Sequence, residues 1–372
     1  PAVPRKATVI IGVRRAGKTF LLYQEIQRLL AAGVDRRDIL YANFEDDRLH
    51  PASANLLAEL LETFYRVNPA ARRRTAYLFL DEIQMVPGWP RFVRRVLDTE
   101  SVRVYLTGSS AKLLHAEVAT ELRGRGLAVE VFPFSFSESN AAAGVPRPRT
   151  MPPGPKARSQ LEQRLLAYLE VGGFPEVQSM ALVERVQTLQ DYVELVLLRD
   201  VIERHRVENS VAARAFTRSL LQSPSRRITV NKIHADLRSR GLQVSKDTLH
   251  ALLDHHQDAY LLFTVPIFSR SARVRATNPR KVYAVDPGLA WGMSHITAAD
   301  TGARLENAVF LHLRRQHGRL LQGEIAYYMT ASGREVDFVV GDLFEQRVVR
   351  LVQSCASTDE PSTRTRDVAA LT

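Results

Sequence analysis

Cysteine is nearly absent from this chain: Cys355 is the single one among 372 residues. One thiol excludes an internal disulfide framework and suits a reducing compartment, so a cytoplasmic protein is expected. Long apolar runs are missing as well. No stretch approaches the roughly 20 residues that a membrane-crossing helix needs. No charged-then-apolar leader stands before the first strand, and no membrane partner is expected. Lysine is scarce, seven of 51 basic residues, the rest being arginine. The formal net charge of +11 invites a nucleic-acid reading. An arginine bias is also what a GC-rich genome produces, and the charge is spread along the chain with no basic tail. Location must therefore decide. His255 and His256 do not pair with cysteines or acids at ligand spacing, so no structural zinc is expected. The length suggests two to three domains, and 45% apolar content is enough for ordinary cores.

What is present is most specific near the start. Residues 8–19 form a short apolar strand running into Gly12-Val13-Arg14-Arg15-Ala16-Gly17-Lys18-Thr19. This is the phosphate-loop pattern, in which glycines let backbone N–H groups surround nucleotide phosphates. Lys18 would reach the β- and γ-phosphates, and the Thr19 hydroxyl would ligate Mg²⁺. The apolar stretch from Phe20 to Leu30 continues as a helix whose positive end faces the same phosphates, with Gly33 placed to stop it. ATP and Mg²⁺ are the expected cofactors.

The run Ala76-Tyr77-Leu78-Phe79-Leu80 reads as a doubly covered parallel strand and ends in Asp81-Glu82. Acids at the carboxyl end of such a strand sit where ligands bind in open α/β sheets. Asp81 is the expected Mg²⁺ partner, and Glu82 the residue that orients and deprotonates the attacking water. A further strand, Val102 to Leu106, ends in Thr107-Gly108-Ser109. Ser109 is the first choice for sensing the γ-phosphate, and Thr107 the second. In Leu122-Arg123-Gly124-Arg125 either arginine could be offered to a neighbouring copy's nucleotide, which would make the protein a homo-oligomer; a solvated basic turn reads equally well.

Strand candidates at Thr8 to Ile11, Ile39 to Phe44, Ala76 to Leu80, Val102 to Leu106 and Ala128 to Phe132 alternate with helical periodicity, the pattern of an α/β domain. The strand at Ile39 lies between the phosphate loop and Asp81, as expected when one extra strand separates them. Phe92, Val93, Val96 and Leu97 fall at helical spacing. Five prolines between Pro146 and Pro155 mark a linker. Helical patterns follow at Leu161 to Leu169 and at Gln190 to Arg206.

Residues 228–285 carry a helix-turn-helix pattern. Val230 to Arg238 is amphipathic and closed by Gly241, and Ser245 caps a second helix running towards Tyr260. Two β-like stretches follow, Leu261 to Phe268 and Lys281 to Val285, separated by a segment with four arginines. The order is that of a winged helix with a basic wing. Lys246, Thr248 and His250, with Arg270, Arg273 and Arg275 on the wing, are candidates for phosphate or groove contacts with duplex DNA. A winged helix used for protein contacts is the alternative.

The motifs Phe79 to Trp89, Leu106 to Leu114, Leu122 to Arg125 with Pro133 to Phe136, Gly172 to Pro175 and Arg334 to Phe338 together resemble bacterial and archaeal AAA-type ATPases with a C-terminal domain of unknown function, DUF4143-like. The resemblance implies an additional-strand P-loop core, a helical lid, a winged helix and a nuclease-like C-terminal fold. It also implies that Phe174 and Pro175 lie against the nucleotide base, and that the chain is part of a longer protein. Restriction-type nucleases hold Mg²⁺ with an acid on one strand and an acid-x-lysine pair on the next. Glu306 and Asp337 match the acidic positions, but Gln353-Ser354-Cys355 stands where acid-x-lysine should be.

The expected organisation is an α/β P-loop core over 1–140, a proline-rich linker over 141–157 and a helical lid over 158–222. A winged helix over 223–290 and a small nuclease-like α/β domain over 300–372 complete it. The expected function is an ATPase coupled to DNA binding, with a catalytically degenerate tail. A nucleotide-driven switch holding a protein partner is the alternative, and an ATP-dependent metal nuclease a third reading.

Overall fold

A computed structural model describes residues 5–53, 55–108, 122, 124–148, 150, 152–293, 301–317, 325–342, 345 and 347–356. The chain divides into two compact units, one ending at Phe132 and the other beginning at Pro133.

The first unit is built on a parallel sheet of β1 (Ala7–Ile11), β2 (Ile39–Asn43), β3 (Ala76–Asp81), β4 (Val102–Gly108) and β5 (Gly126–Glu130), in the spatial order β2-β3-β4-β1-β5. Parallel strands with covered faces read as continuous apolar runs, as Leu78-Phe79-Leu80 and Val104-Tyr105-Leu106 do. The strand that separates β1 from β3 is β4; β2, at Ile39, lies at the sheet edge beyond β3. The expected place of the inserted strand is corrected accordingly. β5 starts two residues earlier than its apolar pattern suggests, because Gly126 and Leu127 pair with Ala7 and Thr8.

Register fixes the site. Ile11 pairs with Gly108, Val9 with Leu106 and Leu80 with Leu106. The carboxyl ends of β1, β3 and β4 therefore finish at one edge, bringing Gly12, Asp81 and Thr107 to the same level. Helix α1 (Lys18–Ala31) packs Leu22 and Leu29 against Ile10, Phe79 and Tyr105. The last two rings stack with centroids 4.5 Å apart. Leu22 is fully buried, so Leu22→Ala would cost about 2–5 kcal/mol and loosen the helix that carries the phosphate loop. Gly33 closes the helix at φ 87, a left-handed turn that glycine adopts without strain.

In the second unit, α2 (Pro155–Val171) begins on the last proline of the linker, which suits the first helical turn. α3 (Leu182–Val196) runs into a π-helical stretch, Leu197–Glu203, and α4 spans Ser210–Leu221. The strand β6 (Arg227–Ile228), the helices α5 (Val230–Ser239) and α6 (Lys246–Asp258) and the strand β7 (Leu262–Val265) follow in turn. A short helix α7 (Ala272–Thr277) then leads into β8 (Arg280–Ala284). The three strands form an antiparallel sheet in the order β6-β8-β7. Ser245 caps α6 as its sequence predicts, its Oγ accepting the N–H of Thr248 at 3.0 Å.

The C-terminal part packs α8 (Thr301–His317) with an antiparallel sheet of β9 (Ile325–Met329), β10 (Glu335–Asp342) and β11 (Arg347–Val352), β10 being central. Asn307, buried in α8, exchanges two hydrogen bonds with the backbone of Ala284 on β8, at 2.8 and 3.0 Å. That stitch fixes the neighbouring Glu306 over β8.

Candidate functional site

The phosphate loop leaves β1 through Gly12, where φ is 153 and an added Cβ would sit 2.0 Å from the carbonyl oxygen of Val131. No side chain fits there. Arg15 and Gly17 also take positive φ, at 66 and 99, which curls the loop around the start of α1. The first turn of α1 holds no acidic residue and its cap is a glycine, so its positive end is left for an anion. Lys18 is 5% exposed. Its Nζ donates to the carbonyls of Gly12 and Val13 at 3.2 and 3.1 Å, which holds the ammonium inside the loop.

The acid pair is more tightly held than its sequence suggests. Asp81 is buried. One carboxylate oxygen accepts the Tyr41 hydroxyl at 3.0 Å and the other accepts the Thr107 hydroxyl. The same Thr107 oxygen accepts the backbone N–H of Glu82 at 2.9 Å. Glu82 sits at φ 52, a left-handed conformation uncommon for a residue with a side chain. Gln84 donates to its carboxylate at 2.5 Å. Burial pushes the Glu82 carboxyl above the usual carboxylate range, with the Lys18 charge opposing it. Burial, with Tyr23 and Asp81 beside it, pushes the Tyr41 phenol up too, so it remains a hydrogen-bond donor.

The donor set fits a nucleotide with a divalent cation. A buried ammonium, a hydroxyl at Thr19 and a fixed carboxylate at Asp81 are the groups such a ligand requires. Arg14 reaches Glu45 at 3.5 Å on the exposed side.

The Thr107 hydroxyl donates to Asp81 and accepts the N–H of Glu82, so it bonds both members of the acid pair. Ser109 and Arg123 lie outside the described residues. Arg125 pairs with Asp98 at 2.5 Å and reaches the carbonyl of Arg94 at 3.5 Å, both in its own unit. Phe174 is 1% exposed and packs against Tyr192 with ring centroids 5.1 Å apart, so its ring is committed to the core. The turn before it is clamped by buried Asp286, which accepts the N–H of Gly173 at 2.6 Å and that of Gly288 at 2.8 Å. Pro175 opens the next helical turn.

Among the DNA-binding candidates, Lys246, His250 and Arg273 are exposed. Thr248 shares a hydrogen bond with Ser245 at 2.8 Å as part of the helix cap. Arg270 donates to the carbonyl of Glu345 at 3.2 Å, and Arg275 to the carbonyls of Ser269 and Arg270. The segment expected as a basic wing contains the helix α7, which Ser271 caps by accepting the N–H of Val274 at 3.2 Å. The β-stretch expected over Leu261 to Phe268 narrows to β7, and Ile267 pairs with Tyr327 instead.

In the C-terminal part Glu306 and Asp337 do meet, but around a residue the sequence reading did not single out. Lys281 Nζ lies 2.7 Å from Glu306, 2.6 Å from Glu335 and 3.1 Å from Asp337. Gln353 and Ser354 bind Asp337: its N–H donates to Gln353 at 3.1 Å, and its Oδ2 accepts the N–H and hydroxyl of Ser354 at 2.9 and 2.8 Å. A lysine inside an apolar strand, in a chain with few lysines, was the available signal. Tyr41, Gln84 and Glu335 had none, since only the fold brings them to their partners.

Residues 4–140 match the AAA domain family, and residues 162–300 match a domain of unknown function, DUF8612. The C-terminal assignment is therefore DUF8612, and the expected DUF4143-like domain is corrected. Uncharacterized protein MJ1544 of Methanocaldococcus jannaschii is 33% identical over 99% of this chain and 78% of its own length. An uncharacterized protein of Haemophilus influenzae is 27% identical over 89% of this chain and 78% of its own length. Among solved structures, the Walker-type ATPase PABY2304 of Pyrococcus abyssi aligns with a TM-score of 0.47 at 15% identity, over 77% of this chain and 90% of that one. The ORC2 protein of Aeropyrum pernix aligns at 0.45 and 12%, over 85% and 90%. Among the described residues no helix is long and apolar enough to cross a membrane. With its phosphate loop, its strand-end acids, an AAA domain followed by DUF8612 and a relative 33% identical over nearly all of this chain, the protein belongs to the AAA-type ATPase family of which MJ1544 is a member.

Proposed function

We propose that this protein binds ATP at Gly12–Thr19 and hydrolyses it with Glu82, and that its second unit responds to nucleotide by binding duplex DNA. The observation that carries the first part is Lys18 held inside the loop while Thr107, one strand over, fixes both Asp81 and Glu82. Lys18 holds the β- and γ-phosphates, and Thr19 with Asp81 would hold Mg²⁺, which would draw charge from the phosphate oxygens when bound. Glu82 orients the attacking water and takes its proton; a raised carboxyl is the better base once ionised. Tyr41 and Thr107 keep Asp81 from turning, and Gln84 does the same for Glu82. Lys18→Ala should lose nucleotide binding, measured by titration calorimetry. Glu82→Gln should keep binding and lose roughly 10²–10⁴-fold in kcat. Equal turnover by Glu82→Gln and wild type would remove Glu82 from this role.

The DNA part is supported by the order helix, strand, helix, turn, helix, strand from α4 to β7, with β8 following after the short helix α7, which is close to that of a winged helix, and by exposed Lys246, His250 and Arg273. Arg270 and Arg275 also bond within the chain, which favours a protein partner as the second reading. Joint substitution of Lys246 and Arg273 by Ala should weaken duplex binding and lower the slope of log K against log salt by about 2, one per phosphate contact. No affinity of the wild type for duplex at about 50 mM salt gives the surface to the protein partner. The C-terminal part is read as a nuclease-like domain without cleavage activity, because Gln353 and Ser354 tie Asp337 down where an acid and a lysine would be needed.

A further inference from the structure

The three carboxylates gathered by the C-terminal sheet pose a question of charge. Glu306 on α8 and Glu335 and Asp337 on β10 converge on one point, and residues i and i+2 of a strand share a face. Three acids within reach of one another would repel unless a cation stood between them. Lys281, with its side chain 2% exposed, supplies it from β8.

We propose that the Lys281 ammonium stands at the cation position of a divalent-metal site formed by Glu306, Glu335 and Asp337, closing that site to metal in the wild-type protein. The Lys281 ammonium donates to Glu306 at 2.7 Å and to Asp337 at 3.1 Å, and lies 2.6 Å from Glu335. Further donors bind the same three carboxylates. Tyr283 donates to Glu306 at 2.7 Å, Arg227 lies 3.1 Å from Glu335, and Ser354 donates twice to Asp337. Burial works against the ammonium, but Glu306, Asp337 and Glu335 outweigh it and hold it charged well above the ordinary lysine range. Among the described residues no group of three or more His, Cys, Asp and Glu is arranged to hold a metal ion. That agrees with oxygens spread around an ammonium.

Oxygens at 2.6 to 3.1 Å stand closer to the roughly 2.3–2.6 Å that Ca²⁺ requires than to the roughly 2.0–2.1 Å of Mg²⁺. A site emptied of its lysine should therefore prefer Ca²⁺, and a divalent ion should offset the three negative charges better than the lysine did.

The inference rests on reading this domain as cleavage-incompetent, and the two fail differently. The full-length protein, without nucleotide, is melted in EDTA and across a Ca²⁺ titration. Wild type should be insensitive. Lys281→Met should melt well below wild type in EDTA. It should then regain on the order of 5 °C or more at saturating Ca²⁺, with a smaller gain for Mg²⁺. Adding Asp337→Asn should abolish the gain. If Lys281→Met does not fold in EDTA, the milder pair Lys281→Met with Glu335→Gln takes its place under the same titration. A folded variant indifferent to Ca²⁺ overturns the inference, as does a wild type that Ca²⁺ stabilises through Asp337. Mg²⁺-dependent DNA cutting by wild type that is lost in Asp337→Ala would overturn the cleavage-incompetent reading, whatever the melting curves show.

Discussion

Among the described residues two lysines are buried, Lys18 and Lys281, and they face opposite chemistry. Lys18 lies against carbonyl dipoles at the start of a helix, with the acids Asp81 and Glu82 held at the ends of a neighbouring strand. Lys281 lies against three carboxylates. The first arrangement leaves positive potential waiting for a polyanion, since dipoles only partly offset a full charge. The second is closed on itself. The same side chain, buried in both units, is the proposed ligand site in one and an internal cross-link in the other; what it faces makes the difference.

The comparison can be broken by removing each lysine in turn. Lys281→Ala should destabilise by about 3–5 kcal/mol, because it strands buried carboxylates without their counter-charge. Lys18→Ala should cost less than half as much while abolishing nucleotide binding. Chemical denaturation of both variants checks this, and a larger loss for Lys18→Ala would reverse the assignment.

A second, smaller effect sharpens the ATPase side. Thr107→Val keeps the shape of a buried residue but removes the hydroxyl shared by Asp81 and Glu82. Stability should fall by about 1–3 kcal/mol. Because an acid free to turn positions water less well, kcat should fall about tenfold, and Thr107→Ser should restore both. Unchanged turnover in a folded Thr107→Val would show that the acid pair needs no such support.

A third effect concerns pH. Burial, with Asp337 nearby, pushes the Glu306 carboxyl up to about 7 despite the Lys281 charge, from an ordinary value of 4.5. Burial likewise pushes Asp286 up to about 6, from 3.8. For a carboxyl raised by folding, the folded state binds more protons between the two values, so stability falls as pH rises through that window. Glu306 should cost the protein about 2–3 kcal/mol between pH 4.5 and 7. Glu306→Gln should flatten the upper part of the curve, above the range where Asp286 titrates. A wild-type stability that rises from pH 5 to 7 by the same amount as the variant's would remove Glu306 from this role.

Much of the nucleotide site was legible because it is local. Gly12 to Thr19 encode a turn, a helix start and a cation in eight consecutive residues, and Asp81-Glu82 follow directly on an apolar run. Ser245 was readable as a cap for the same reason. The contacts of the basic segment were not legible, since a run of arginines says nothing about which carbonyls they will meet; Arg275 bonds the carbonyl of Arg270. The bond of Thr107 to Asp81 was not legible, because it depends on β3 and β4 lying side by side.

What the sequence alone determined is the strand-loop-helix with the phosphate-loop pattern, the acids that follow β3, and the two helices joined by a turn, the second of them capped by Ser245. Each is a pattern within a few residues, where propensity, glycine geometry and alternation act. What only the tertiary structure decided is the order of the sheet, the clamp on Asp81, and the meeting of Lys281 with Glu306, Glu335 and Asp337. Lys281 lies 25 residues from Glu306 and 56 from Asp337, and no local preference links them. Their contact exists because Asn307 fastens α8 to β8 and the acids of β10 face the same buried point, where an unpaired charge would cost too much to persist.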